Sequence, residues 1–187
     1  MRGKKNLVLL VSESVSKGLC ERISNSISEL TGLPIKVSIK SRVKKAPEEI
    51  IASLSRNELI VAIHSLIEEQ KTHVILLLNV SGARRIAEIL LFQADMELSD
   101  EEALDALREF GNIVFGTLAS ELSRKVGGKV TYTIPEVVID YDVAIIESLI
   151  APLAMVKDII EILEFSITSS GDEELGFDML MIPGDNV

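Results

Sequence analysis

Residues 98–128 read LSDEEALDALREFGNIVFGTLASELSRKVGG, and this stretch sets the architecture of the chain. Ser99 stands where an N-cap belongs, with Glu102 three residues on to complete a capping box. The acidic residues Asp100, Glu101 and Glu102 suit the positive end of a helix dipole. Leu104, Leu107, Phe110, Val114, Leu118 and Leu122 recur at three- and four-residue intervals, which gathers them on one apolar face. The spacing predicts a helix running to about Val126, stopped by Gly127-Gly128.

Working outward from this helix, the second half predicts a strand around Lys129–Pro135, a short helix near Val143–Ile150, and strands at about Asp158–Ile167 and Gly176–Ile182. The loop Thr168–Glu174 joins those last two as a hairpin. The first half follows the same order. A helix ends at Thr31-Gly32, a strand lies near Pro34–Ile39, and Pro47 suits the first turn of a short helix through Leu54. Leu59–Leu66 and His73–Val80 then form a hairpin, and a helix at Ala83–Phe92 links the halves. The repeated order points to an internal duplication about a pseudo-twofold axis. The expected fold class is α+β: a two-layer sandwich with the long helices packed on one face of a sheet. One domain spans 1–187, with halves of about 1–94 and 95–187.

Composition narrows the function. The 187 residues are enough for one domain with a sizeable core. Aromatics make up 4% and there is no Trp, so the core is mostly aliphatic. A net charge of -10 repels phosphate backbones and anionic membranes, so neither nucleic acid nor membrane insertion is expected. The basic runs Arg2–Lys5 and Arg42–Lys45 are short and read as solvated surface. Cys20 is the single cysteine, which forbids an intramolecular disulfide. Met1–Lys5 and Leu7–Val11 imitate a signal peptide, but the apolar run is too short and no cleavage site follows. Charges interrupt every apolar run before membrane-spanning length, so the expected location is the cytoplasm. His64 and His73 lie on neighbouring strands without a Cys or a third His, and read as half-buried strand histidines rather than metal ligands.

The polar side of the long helix carries the candidate site. Asp105, Glu109 and Asn112 stand at i, i+4 and i+7, in one stripe turned away from the Leu/Val/Phe face. Gly116, Ala119, Ser120 and Ser123 continue that side with small residues, a strip that another surface could approach closely. By itself this pattern also fits an ordinary solvated helix face.

A longer pattern separates the two. Asp105, Glu109, Asn112 and Pro135 fit [D/S]-x3-E-x2-N-x22-P, which resembles the active-site signature of the CheC, CheX and FliY phosphatases of chemotaxis. Glu109 and Asn112 form the only Glu-x-x-Asn pair in the chain. Glu109-Phe110-Gly111-Asn112-Ile113 resembles the family's E-x-G-N-I core, and Leu122-Ser123 its later L-S. With the duplicated order of elements, the resemblance covers nearly the whole chain.

The resemblance implies a protein aspartyl-phosphate phosphatase whose substrate is phosphorylated CheY. Asn112 would orient the attacking water and Glu109 would pair with a CheY lysine, with Asp105 and Pro135 in support. It implies no cofactor of the protein's own, since Mg2+ arrives with CheY, and it makes CheD a possible further partner. Family members often carry the motif in both halves; this chain does not. Superposing Gly127 on Gly32 puts Ser14 and Lys17 at the Glu and Asn positions and Lys40 at the Pro. Superposing Leu122-Ser123 on Leu30-Thr31 puts Lys17 and Cys20 there. Both registers leave the first half without a motif. A second reading therefore stands beside the first: a non-catalytic module that binds CheY-P or CheD, or a part related to the flagellar switch proteins.

Overall fold

The computed structural model describes residues 13–184, so the opening stretch with Arg2–Lys5 and Leu7–Val11 lies outside the described residues. The chain forms α1 (Glu13–Thr31), β1 (Ile35–Lys45), α2 (Pro47–Leu54), β2 (Leu59–Ile67), a 3-10 turn (Glu68–Gln70), β3 (Thr72–Asn79) and α3 (Val80–Leu91). It continues with α4 (Glu101–Val126), β4 (Glu136–Tyr141), α5 (Asp142–Ala154), β5 (Ile160–Ser169) and β6 (Phe177–Pro183). The strands make one antiparallel sheet in the order β1-β5-β6-β3-β2-β4. Exchanging β1 with β4, β2 with β5 and β3 with β6 reverses that order onto itself. The duplication is thus built into the sheet, with the twofold between β3 and β6.

Chemistry repeats with the topology. Gly32 and Gly127 both end their helices at positive φ, 70° and 67°. The Ser28 hydroxyl accepts a hydrogen bond from the Ile35 N–H at 3.0 Å, and the Ser123 hydroxyl accepts one from the Val130 N–H at 2.9 Å. Each residue lies 95 positions from its counterpart, which selects the register that superposes Gly127 on Gly32. Across the helix crossing the same operation relates two contacts. Arg22 Nε pairs with Glu121 at 2.6 Å, and the Thr117 hydroxyl donates to that of Ser26 at 3.0 Å.

The main core lies between the sheet and α1, α3 and α4. Leu19, Ile23 and Ile27 of α1 and Phe110, Val114 and Leu118 of α4 pack on Ile63, Leu76, Phe165 and Met179. Ile50 of α2 and Ile146 and Ile150 of α5 form a second core with Ala62, Ile75, Ile162 and Leu180. The expected layer of long helices on one face is present, and the two short helices add a thinner layer opposite. That layer explains why strand alternation is weak in the sequence. LIVAIHSLI and THVILLLN are buried on both faces and read as near-continuous apolar runs. Each fully buried Ile or Leu contributes about 1.5–3 kcal/mol, so an aliphatic core suffices without Trp.

Several boundaries differ from expectation, each for a local reason. Residues 129–135 form no strand beyond an isolated bridge between Tyr132 and Ile67. Two of their donors are taken by side chains, Val130 N–H by the Ser123 hydroxyl and Thr131 N–H by the Glu69 carboxylate, which leaves only Thr133 N–H donating to Leu66 O of β2. Pro135 has no N–H at all, and β4 begins directly after it. Strand β1 runs past Ile39 to Lys45 through a bulge, its basic side chains set against Glu161 and Glu164 of β5. The N-cap of α4 is Asp100 rather than Ser99, and no side chain caps the helix; the Asp100 carboxylate accepts from Glu97 N–H instead. Helix α3 starts at Val80, three residues early, because Asn79 Oδ1 caps it by accepting from Gly82 N–H at 2.6 Å.

Candidate functional site

Helix α4 divides as its period dictates. Leu107, Phe110, Val114, Leu118 and Leu122 are buried, Leu104 is half-buried, and Asp105, Glu109 and Asn112 are exposed. The three polar side chains share the outer stripe, and Asp105 is engaged by Arg108 on its own helix. The small-residue strip changes character further along. Ser120 is exposed, but Ala119 is buried, because α1 crosses α4 there and makes the Arg22–Glu121 and Ser26–Thr117 contacts.

Seating α4 against the sheet requires Gly111. A Cβ there would lie 2.5 Å from Ile63 Cγ2 on β2 and 3.3 Å from Pro135 Cβ. Pro135 is buried, and it backs the turn of helix that presents Glu109 and Asn112. The motif spacing therefore corresponds to one place in space, where the helix meets the chain segment leading into β4.

Asn112, exposed as its place in the stripe indicates, has a neighbour. The Tyr132 hydroxyl donates to Asn112 Oδ1 at 2.9 Å and lies 3.2 Å from the Asn112 carbonyl. Burial pushes the Tyr132 phenol above its ordinary pKa of 10.0, and the nearby charge of Glu109 adds to the rise, so the hydroxyl stays a donor at neutral pH. The segment carrying Tyr132 is pinned on both sides. Thr131 donates from N–H and hydroxyl to the Glu69 carboxylate at 2.9 and 2.7 Å, and the Ser65 hydroxyl donates to Thr133 O at 2.8 Å. Burial acts to raise the Glu69 pKa, but the Thr131 hydrogen bonds outweigh it and hold the carboxylate below its ordinary value. Sequence reasoning passed over Tyr132. The available signal was one of two tyrosines in an aromatic-poor chain, three residues before the motif proline.

The equivalent place in the first half is different. Lys40, at the position of Pro135, reaches Asp178 at 2.7 Å and Glu164 at 3.8 Å. Lys17 and Ser14 belong to α1, but their side chains lie outside the described residues. Arg42 and Lys44 face Glu161 across the strand pair, and Lys44 is well exposed. His64 and His73 are half-buried, with Nε2 of the first 3.0 Å from Nδ1 of the second. Burial and the neighbouring His64 push His73 down to about 4, and burial lowers His64. Among the described residues no group of three or more His, Cys, Asp or Glu could hold a metal ion, and no helix is long and apolar enough to cross a membrane.

The sheet is thus duplicated about a twofold, and the longest helix among the described residues carries an acid and an amide on its outer face. Residues 60–155 match the family described as chemotaxis phosphatase CheX. Solved structures with the same fold include Thermotoga maritima FliY, at 16% identity over 94% of this chain and 92% of that one, with a TM-score of 0.67. The FliM middle domain from H. pylori shows 13% identity over 96% and 93%, with a TM-score of 0.60. CheX from Desulfovibrio desulfuricans shows 10% identity over 90% and 97%, with a TM-score of 0.55. The chain belongs to the CheX family, within the CheC/CheX/FliY group.

Proposed function

We propose that the protein hydrolyses the phosphoaspartate of the response regulator CheY. The observation that carries this reading is the exposed pair Glu109 and Asn112, one turn apart on a rigid helix, with the Asn112 carboxamide already hydrogen-bonded to Tyr132. Phosphoryl transfer depends mainly on placing the nucleophile in line and stabilising charge. A carboxamide is no base near neutral pH, but its oxygen has two lone pairs and its nitrogen two protons. Tyr132 uses one lone pair of Oδ1. The other lone pair and the Nδ2 protons remain to bind a water and aim it at phosphorus. Glu109 supplies a charge for a lysine of CheY and so sets the angle at which the two proteins meet. Asp105, tied to Arg108, borders the stripe, and Pro135 supports the helix from below. Mg2+ enters as part of the CheY substrate, CheD is a candidate regulator, and the setting is the cytoplasm.

The test is the decay of phosphorylated CheY from the same organism, with wild type and with Asn112→Ala. Wild type accelerates decay. Asn112→Ala abolishes the acceleration and shifts stability by only about 1 kcal/mol, the cost of one exposed hydrogen bond. Equal decay with and without the protein, at stoichiometric amounts and with CheD present, removes the enzyme reading. A binding module of the flagellar-switch type then becomes the better account. The FliM middle-domain likeness and Lys40 in place of a second proline favour that alternative.

A further inference from the structure

We propose that Tyr132 is a positioning residue for Asn112, its hydroxyl holding the carboxamide at the angle from which Asn112 directs the attacking water. The inference rests on the phosphatase reading above and adds to it a residue outside the E-x-x-N…P pattern.

Three observations carry it. The hydroxyl has a single proton, given to Asn112 Oδ1 at 2.9 Å, with the Asn112 carbonyl at 3.2 Å as a second acceptor. The phenol therefore spans the side chain and main chain of one residue and restrains its rotation. Second, space for that hydroxyl is kept open on the helix. Gly116 lies one turn beyond Asn112, and a Cβ there would come within 3.0 Å of Tyr132 Oη and 3.8 Å of Cζ. Third, the main chain that carries the ring is held in place, because Tyr132 and its flanking residues are tied to β2 and to the turn after it. The ties are Thr131 to Glu69, Tyr132 to Ile67 by a bridge, and Thr133 to Ser65 and Leu66.

A purely structural role fits these facts poorly. The Asn112 side chain is exposed, so water could satisfy both ends of its carboxamide, and the bond is not needed to rescue a buried polar group. Exposed side chains ordinarily sample several rotamers, whereas a catalytic amide gains by being confined to one before substrate arrives. The charge of Glu109 bears on the same phenol and keeps its proton in place for Asn112.

The experiment uses Tyr132→Phe, which keeps the ring and removes only the hydroxyl, and Gly116→Ala, whose methyl crowds the same hydroxyl while favouring the helix. CheY phosphorylated with acetyl phosphate serves as substrate, and kcat and KM are measured separately. The side-chain amide resonances of Asn112, assigned by their loss in Asn112→Ala, are followed in the free protein. The expected result is a kcat lower by about five- to thirty-fold in both variants, the effect of one or two kcal/mol, with KM unchanged. The Asn112 amide pair shifts in both. Wild-type kcat in Tyr132→Phe, or an unmoved Asn112 amide pair, overturns the proposal. If wild type itself fails to accelerate decay, the phosphatase reading falls. The amide spectrum of Tyr132→Phe then decides by itself whether the hydroxyl orders Asn112.

Discussion

Replacing Gly111 with alanine probes how α4 is seated. The new methyl would stand 2.5 Å from Ile63 Cγ2 and 3.3 Å from Pro135 Cβ. Carbon atoms in ordinary contact are about 3.5–4.0 Å apart, so the overlap with Ile63 is about an ångström. Ile63 is fully buried, with Phe110, Phe115 and Leu76 in the same core, and cannot simply turn away. Alanine improves helix propensity by about 1 kcal/mol over glycine, while overpacking a core costs about 1–3 kcal/mol. The balance is a loss of about 1 kcal/mol, which for a chain of this size lowers Tm by about 2–4 °C. The larger effect is geometric. If α4 lifts by about an ångström at this turn, Glu109 and Asn112 move with it, and a misplacement of that size can cost about a hundred-fold in rate. Thermal unfolding and CheY-P decay read the two effects separately. The double variant Gly111→Ala, Ile63→Ala supplies the control, because the shortened side chain makes room for the methyl. In that background Gly111→Ala should be neutral or stabilising, a coupling of at least about 1 kcal/mol. Additive stabilities, or a single variant that unfolds at or above wild type with full activity, would refute the close seating of the helix.

Further expectations concern the histidine pair, Glu109 and Lys17. His73 titrates near 4 in the fold against an ordinary 6.5, so the unfolded chain binds the proton more readily. Its contribution to stability is complete above pH 6.5 and is lost as pH falls toward 4; Tm should drop across that window more steeply in wild type than in His73→Gln, and parallel curves would dismiss the histidine pair as the cause. Glu109→Gln should weaken productive docking, and wild-type activity should fall as salt rises, whereas Lys17→Ala in the first half should leave CheY-P decay nearly unchanged. Equal losses in Lys17→Ala and Glu109→Ala would mean that α1 takes part in the reaction.

What could be read from the chain followed from local rules. The outer position of Asp105, Glu109 and Asn112 needs only the 3.6-residue period, and the ends of α1 and α4 need only glycines that accept positive φ. Helix α2 falls at Pro47–Leu54, as Pro47 indicated, and the two hairpins lie within a few residues of their expected limits. What was missed depends on partners far along the chain. Glu69 captures the Thr131 N–H across 62 residues, a donor that a strand at 129–135 would have needed. Asp142 accepts from the N–H groups of Arg56, Asn57 and Glu58, 84 to 86 residues away, which binds the start of α5 to the turn before β2. The Tyr132–Asn112 contact is of the same kind: neither residue is unusual alone, and only the fold sets the phenol against the amide.

The strand order has a consequence for how the chain comes off the ribosome. Among the described residues, strand β1 of the first half pairs only with β5 of the second, and β4 of the second half pairs only with β2 of the first. When residues up to about 94 have emerged, β1 has nothing to pair with and the apolar face of α1 has no α4 to cross. The nascent first half holds a hairpin and unburied helices, a state open to chaperones and to pairing with another nascent chain. Closure waits on contacts more than a hundred residues apart, the long-range kind that slows folding. A synonymous pause placed after residue 94 should therefore lower the soluble yield, and so should one placed after β5, because β6 alone joins β5 to β3.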